Sequence, residues 1–401
     1  MEYVVMADDM TYIEQRKKQA QELSQLFYKM QDQPLHPNKI AVSTYEGDGG
    51  YCCSPRYIVE ELLKREAGLE IVWLTHSKNR EFPENIKVVE DTKENVAYHL
   101  STAKIWIDNY RKPYGTIKRE GQFYLQTWHG ILGFKPVGLY RGDKFPEIAR
   151  LVSQWDSDMI DRVISNSEVL EKMYPKKLLY EGETLRTGFP RLDVIINHKQ
   201  EMHQQIRRRY GLRADTKLLL FMPTFRGGNQ SGKKQVISEL PSLDFKRLLR
   251  NLRKRFSGDW VILTRLHPQL AAKFDHMSMG DNSDHILDVS QAVDSSELIA
   301  AADMVLTDYS SGAFDAAFSG IPVVLFADDV QEYRKSRGEF MWQREELPFL
   351  IAENNEELEH NVLSFDETVY HREVTAFMNR LKIQEDGKAS QRVAEFLLGT
   401  M

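Results

Sequence analysis

The reading of KIAVSTYEGDGGYCCSPRYIVEELLKR, residues 39–65, decides the fold. Ile40, Ala41 and Val42 open it as a short apolar strand, and Gly47, Gly49 and Gly50 then form a tight turn. RYIVEELLKR carries its apolar residues at helical spacing, and LEIVWLT (69–75) follows as a second strand. Strand, Gly-rich turn, helix and strand in that order open a parallel α/β unit. The turn lacks the full G-x-G-x-x-G dinucleotide fingerprint, so it reads as a tight loop and no more.

Working outward, the apolar runs AKIWID (103–108), QFYLQTW (122–128) and DRVISNS (161–167) alternate with helical stretches, giving one α/β domain over 35–190. Ahead of it, residues 1–34 read as a leading helix with Ile13, Ala20, Leu23, Phe27 and Met30 on one face, broken by the prolines of QPLHP. Gly188 and Pro190 in RTGFPRLDVI favour a change of direction, which places a lobe boundary there. The same grammar returns over 191–375 with KLLLFMPT, DWVILTRL, HILDV, MVLTDY and IPVVLFA. Residues 376–401 end the chain with a closing helix, ASQRVAEFLLG. Two α/β lobes facing across a cleft are therefore expected.

Size and composition agree. A chain of 401 residues is too long for one ordinary core, and 42% hydrophobic with 28% charged residues is a globular composition. A net charge of -6 offers no global attraction to nucleic acid or to an anionic membrane, so any such affinity has to be local, and no nucleic-acid partner is expected. The only cysteines, Cys52 and Cys53, are adjacent, which suits neither a disulfide framework nor a metal site and fits a reducing compartment. The amino terminus lacks the order of a signal peptide, and no window approaches the ~18 apolar residues of a spanning helix. A cytoplasmic protein, at most peripheral on a membrane, is expected.

Open parallel sheets bind ligands at the carboxyl ends of their strands. In MVLTDYSSGAFDAAFSG (304–320) a strand ends near Asp308, and Ser310 and Ser311 lead into a helix starting near Ala313. Hydroxyls and free N–H groups there suit a phosphate, although a serine also simply caps helices. DWVILTRLHPQL ends a strand at Arg265, with His267 held by the following proline. LLLFMPTFRGG ends another with Thr224 and Arg226, whose guanidinium matches phosphate oxygens or is merely solvated. Three such endings on one sheet point to a nucleotide-diphosphate site in the second lobe.

LQTWHGILGFK (125–135) places His129 at a strand end in the first lobe, beside the small Gly130. A neutral imidazole facing the cleft there can accept a proton from an attacking hydroxyl; a structural histidine packed on Trp128 is the alternative. LDFKRLLRNLRKRF (243–256) has an apolar face and a basic one, which reads as a solvated surface or as a contact for anionic lipid or polymer.

The order of SPRYIVEEL, TAKIWIDN, QTWHG, ISNSE, TGFPRLD, PTFR, RLHP, TDYSSGAFD and IPVVLFADDVQEY resembles the CDP-glycerol glycerophosphotransferase family, the primases and polymerases of teichoic acid and related capsule polymers. The resemblance runs from about residue 40 to 340. It implies a GT-B-like α/β fold of two Rossmann-like domains, with the nucleotide held mainly by the second.

It also implies His129 as the base on the acceptor side, where Gly130, Gly49 and Gly50 would lie. His267 and Arg226 would meet the donor pyrophosphate, with Thr224, Arg265, Asp308, Ser310 and Ser311 completing the donor site. The implied substrates are CDP-glycerol or CDP-ribitol and a lipid-linked glycan or polyol-phosphate acceptor, with no cofactor and no metal. After QTWHG the chain departs from the family's usual Thr-Pro-Leu-Lys-like segment, reading Ile131, Leu132, Gly133, Phe134 and Lys135. The short segment before the first strand suits a primase-like enzyme or a compact polymerase. The rival readings are a GT-B glycosyltransferase using a nucleotide sugar and a non-catalytic binder, against which the presence of both His129 and His267 argues.

Overall fold

The computed structural model describes residues 2–66, 68–76, 81–130, 132–224, 241–266, 285–292 and 294–401. Its frame is two wholly parallel sheets. The first contains β1 (His36–Ser43), β2 (Glu70–Thr75), β3 (Ile86–Glu90), β4 (Ala103–Asp108), β5 (Phe123–Gln126), β6 (Arg162–Ser165) and β7 (Thr184–Arg186), ordered β3-β2-β1-β4-β5-β6-β7. The second contains β8 (Lys217–Phe221), β9 (Trp260–Thr264), β10 (Ile286–Asp288), β11 (Met304–Thr307), β12 (Val323–Phe326) and β13 (Leu350–Ala352), ordered β10-β9-β8-β11-β12-β13.

Both orders grow outward from the lobe's first strand and reverse beside it, at β1/β4 and at β8/β11. Val42 sits opposite Ile107 in one ladder and Leu220 opposite Val305 in the other. Helices cover both faces, so the central strands are buried throughout: Ile40, Val42, Trp73, Trp106, Leu218, Ile262 and Val305 lie in the core. The reversal points are the places where a doubly wound sheet leaves a crevice for a ligand.

The leading helix, Glu2–Lys29, lays Leu23 and Phe27 against Leu74, Leu100, Trp106 and Tyr124 on one face of the first sheet. Gly115 permits this approach, since a Cβ there would fall 2.2 Å from the Ala20 carbonyl oxygen. The closing helix, Ala389–Leu398, crosses back to the first lobe, where the Asp193 carboxylate accepts the N–H groups of Ala389 (3.0 Å) and Ser390 (2.7 Å).

Two expectations change. Pro190 is the first residue of a helix, Pro190–Asn197, because a missing N–H costs nothing at that position; the boundary drawn after residue 190 thus cuts a helix. The boundary before residue 376 likewise falls inside the helix Glu367–Arg380, which Asp366 caps by accepting the Val369 N–H. The helix expected to start near Ala313 starts at Gly312.

The basic helix, Phe245–Phe256, buries Leu248, Leu249 and Leu252. Arg247 on its polar side pairs with Glu356 and Glu359 of the neighbouring helix Asn355–Leu363, while Lys246, Arg250 and Lys254 stay exposed. Among the described residues no helix is long and apolar enough to cross a membrane.

Candidate active site

His129 is placed by a strained turn at the end of β5. Thr127 donates its N–H to the Asp108 carbonyl (2.8 Å), and the Trp128 N–H donates to the Gln126 side chain (2.8 Å). Trp128 then takes φ +51°, a conformation uncommon for a bulky residue, and swings the imidazole over the β1/β4 crevice. There Nδ1 lies 2.7 Å from the Asn109 backbone oxygen. A carbonyl only accepts, so Nδ1 carries the proton and Nε2 presents a lone pair.

Tyr45, Tyr110 and Trp128 wall the ring, with centroids at 5.2, 5.3 and 4.8 Å. Burial among them pushes the imidazole pKa down to about 4; the Asn109 carbonyl opposes this, and the positive charges of Arg191, Arg111 and Lys135 add to it. His129 is therefore neutral at neutral pH, with the Nε2 lone pair available to accept a proton.

Asn109 does two jobs. Its carbonyl fixes the tautomer, and its side-chain oxygen accepts the Tyr45 N–H at 2.8 Å, which pins the wall. The turn beneath is held by the buried Asp108 carboxylate, which accepts from the Tyr110 N–H (2.9 Å) and from Lys112 Nζ (2.7 Å). A buried Asp156 below it accepts from the Lys112 N–H and the Tyr124 hydroxyl, and burial lifts its pKa to about 7.

Gly49 and Gly50 belong to the same wall. Gly49 donates its N–H to the Thr44 carbonyl (3.0 Å), and the Thr44 hydroxyl donates to the Gly50 carbonyl (2.6 Å). A Cβ on Gly49 would fall 2.5 Å from the Thr44 hydroxyl oxygen, and Gly50 has φ +73°. The loop leads straight into the helix Cys53–Arg65, whose first residues bury both free thiols.

The second lobe contributes the β8/β11 crevice. The Asp308 carboxylate, 1% exposed, accepts the Thr224 N–H (2.8 and 3.0 Å) and the Tyr309 N–H, and the Thr307 hydroxyl donates to the Met222 carbonyl (2.7 Å). Asp308 thus ties two strand ends together. Ser310 accepts the Gly312 N–H at 3.3 Å, whereas the Ser311 side chain makes no capping bond and stands against the first lobe. A Cβ on Gly130 would lie 2.5 Å from the Ser311 hydroxyl oxygen. Only a glycine lets the residue after His129 meet the second-lobe turn.

Arg265 lies at the end of β9, where its N–H donates to the Phe221 carbonyl (2.8 Å) and its Nε has no hydrogen-bond partner among the described residues. Arg226 and His267 lie outside the described residues. Gly130, His129 and Ser311 are thus brought together across the cleft, and Thr224, Asp308 and Ser310 gather on its far wall. Among the described residues no group of three or more His, Cys, Asp or Glu side chains is arranged to hold a metal.

Sequence reasoning missed Asn109, whose part is played by a backbone carbonyl, and the pair Arg191–Asp315, which ties the helix at the lobe boundary to the second lobe. Both lie inside stretches already singled out, TAKIWIDN, TGFPRLD and TDYSSGAFD, but no residue type in them signals the role. The segment after His129 also crosses over: Phe134 packs on Phe314 (5.0 Å), and its carbonyl accepts the Met341 N–H (2.9 Å).

The family CDP-Glycerol:Poly(glycerophosphate) glycerophosphotransferase matches residues 25–399. The chain is 28% identical to a teichoic acid poly(glycerol phosphate) polymerase of Staphylococcus epidermidis, over 90% of its own length and 51% of that protein. It is 27% identical to a teichoic acid poly(ribitol-phosphate) polymerase of Bacillus spizizenii, over 90% of its length and 56% of the polymerase. It thus spans about half the length of these two relatives. A teichoic acid glycerol-phosphate transferase of Staphylococcus aureus is 27% identical, with 92% of this chain and 95% of that one covered. A solved structure of the wall teichoic acid polymerase TagF superposes with a TM-score of 0.79 at 25% identity, covering 99% of this chain and 97% of the other. The two-lobed GT-B-like architecture is shared with it.

Proposed function

The chain belongs to the CDP-Glycerol:Poly(glycerophosphate) glycerophosphotransferase family, and on that premise we propose that it transfers a polyol phosphate, glycerol phosphate first of all, from a CDP-polyol to a hydroxyl of a membrane-linked glycan or polyol-phosphate acceptor. CMP is released, and the product extends a teichoic acid-like or capsule polymer. The observation that carries this reading is His129: a neutral imidazole with Nδ1 committed to Asn109 and Nε2 free to accept, set where Gly130 meets Ser311.

In the proposed step the acceptor oxygen attacks the phosphorus that bears the polyol, and Nε2 of His129 takes the hydroxyl proton. The new P–O bond forms as the anhydride P–O bond breaks, and the electron pair leaves on the phosphate of CMP. Developing charge is met by the hydroxyls of Ser310 and Ser311, at a strand end that Asp308 braces by accepting the Thr224 N–H. By family resemblance Arg226, Arg265 and His267 complete that side. Positioning and charge neutralisation supply most of the catalysis, as in phosphoryl transfer generally.

Relatives acting on glycerol phosphate and on ribitol phosphate are matched alike, so the test uses both donors. CMP release is measured from CDP-glycerol and CDP-ribitol with lipid-linked acceptors of each kind, alongside UDP release from UDP-sugars. Acceptor-dependent CMP release supports the reading. UDP release alone, or silence with every donor, removes it. The exposed Lys246, Arg250 and Lys254 suit a peripheral contact with anionic lipid; binding to anionic liposomes at low salt checks this, and its absence there ends that idea.

A further inference from the structure

A buried ion pair ties the helix at the lobe boundary, Pro190–Asn197, which packs on both lobes, to the second lobe beside the site. Arg191, in the second position of the helix Pro190–Asn197 and 5% exposed, directs Nε to Asp315 Oδ2 (2.8 Å) and Nη2 to Oδ1 (2.9 Å). Asp315 stands one turn past Ser311 on the helix Gly312–Phe318 of the second lobe. The Arg191 backbone N–H faces the Ser54 hydroxyl of the first lobe (3.4 Å), and its guanidinium stacks on Phe189 (4.6 Å). The same short helix thus carries Ser311, which touches Gly130, and Asp315, which is gripped from the other side.

We propose that Arg191 and Asp315 form a positioning pair for the transfer reaction, a two-toothed clamp that fixes the Ser311 helix against the His129 loop. The proposal rests on the functional reading above. It names neither residue as catalytic; both act through Ser311 and His129.

Three observations support it. A guanidinium–carboxylate fork constrains distance and direction together, where a lysine constrains only distance. Buried ion pairs contribute little net stability against apolar replacements of like volume, so a buried fork at the lobe boundary is better explained by the geometry it imposes; that is the hypothesis for this pair. Finally, the Arg191 charge reaches His129 and, with Arg111 and Lys135, helps to keep the imidazole unprotonated, while Tyr45 and Tyr110 face the ring as neutral groups.

The test compares Arg191→Lys, Arg191→Met and the double variant Arg191→Met with Asp315→Leu. The double variant leaves no buried charge unpaired and should unfold near the wild-type temperature, which keeps the test open should the singles fail to fold. In CMP release, folded variants are expected to lose at least ~10-fold in kcat while KM for the CDP-polyol stays within ~3-fold, the pattern of misplaced rather than missing groups. Arg191→Met should also move the acid limb of the pH profile upward, and Arg191→Lys should leave it in place. A folded double variant with wild-type kcat would falsify the proposal, as would an acid limb that Arg191→Met does not move.

A second readout separates this from the functional reading. Spin labels at the exposed positions Glu94→Cys and Thr368→Cys, one per lobe, report the inter-lobe distance without turnover; the native cysteines are buried. Should wild type release no CMP from any CDP-polyol, the functional reading falls and the clamp is judged on this distance alone. A broader or longer distribution in the double variant supports it, and an unchanged one overturns it.

Discussion

The two halves of the site are built from different materials. On the first lobe the proposed base is one side chain, set among a strained Trp128, the rings of Tyr45 and Tyr110, and a carbonyl that fixes its tautomer. On the second lobe the proposed phosphate contacts are spread over several groups, and the buried carboxylate of the β11 loop, Asp308, ties Thr224 and Tyr309 together. The contrast follows from the chemistry. A proton must go to one atom of defined basicity, whereas phosphate charge is spread over several oxygens and is met by several donors. Single substitutions should therefore be severe on one side and graded on the other.

Removal of the base should have the largest effect. His129→Ala is expected to lower turnover at least ~100-fold in a protein that still unfolds cooperatively. His267→Ala, on the donor side, should cost about as much if its imidazole carries charge stabilisation, and near-normal turnover in a folded variant would remove that role. Next comes Gly130→Ala. Its Cβ would sit 2.5 Å from the Ser311 hydroxyl oxygen, so the lobes must part at the point of reaction, and kcat should fall roughly 10-fold or more. A folded Gly130→Ala with wild-type kcat would show that this contact is not kept during turnover.

The smallest effect should come from Ser310→Ala, since one neutral hydrogen bond among several is worth about 1 kcal/mol, roughly a fivefold change in kcat/KM. A loss as deep as that of His129→Ala would erase the distinction between a concentrated and a distributed half.

Legibility follows the same division. The parallel sheets were readable because helices on both faces make the central strands near-continuous apolar runs, as in KIAV, EIVWL and WVILT. Of the edge strands only β10 was, as HILDV. β3, IKVVE, buries Ile86 but leaves Lys87 and Val88 exposed in succession, so neither a continuous apolar run nor a period of two marks it, and β7 and β13 are only three residues each, too short for any pattern. His129 was readable from its place at a strand end beside a glycine. Asn109 was not, because what it offers His129 is a carbonyl that every residue has. Arg191 was hidden twice over: its partner lies 124 positions away, and the preceding proline reads as a turn when it in fact starts a helix.

The central claim is that a neutral His129 takes the acceptor's proton, and the pH dependence of acceptor-dependent CMP release tests it most directly. The sign is fixed by the base: its unprotonated form is the active one, so a pKa pushed from the ordinary 6.5 down to about 4 extends activity into acid. The account predicts kcat/KM level from neutrality to about pH 5, falling near pH 4, with that limb absent from the residual activity of His129→Ala. A wild-type limb near pH 6.5, or an acid limb that survives unchanged in His129→Ala, would contradict it.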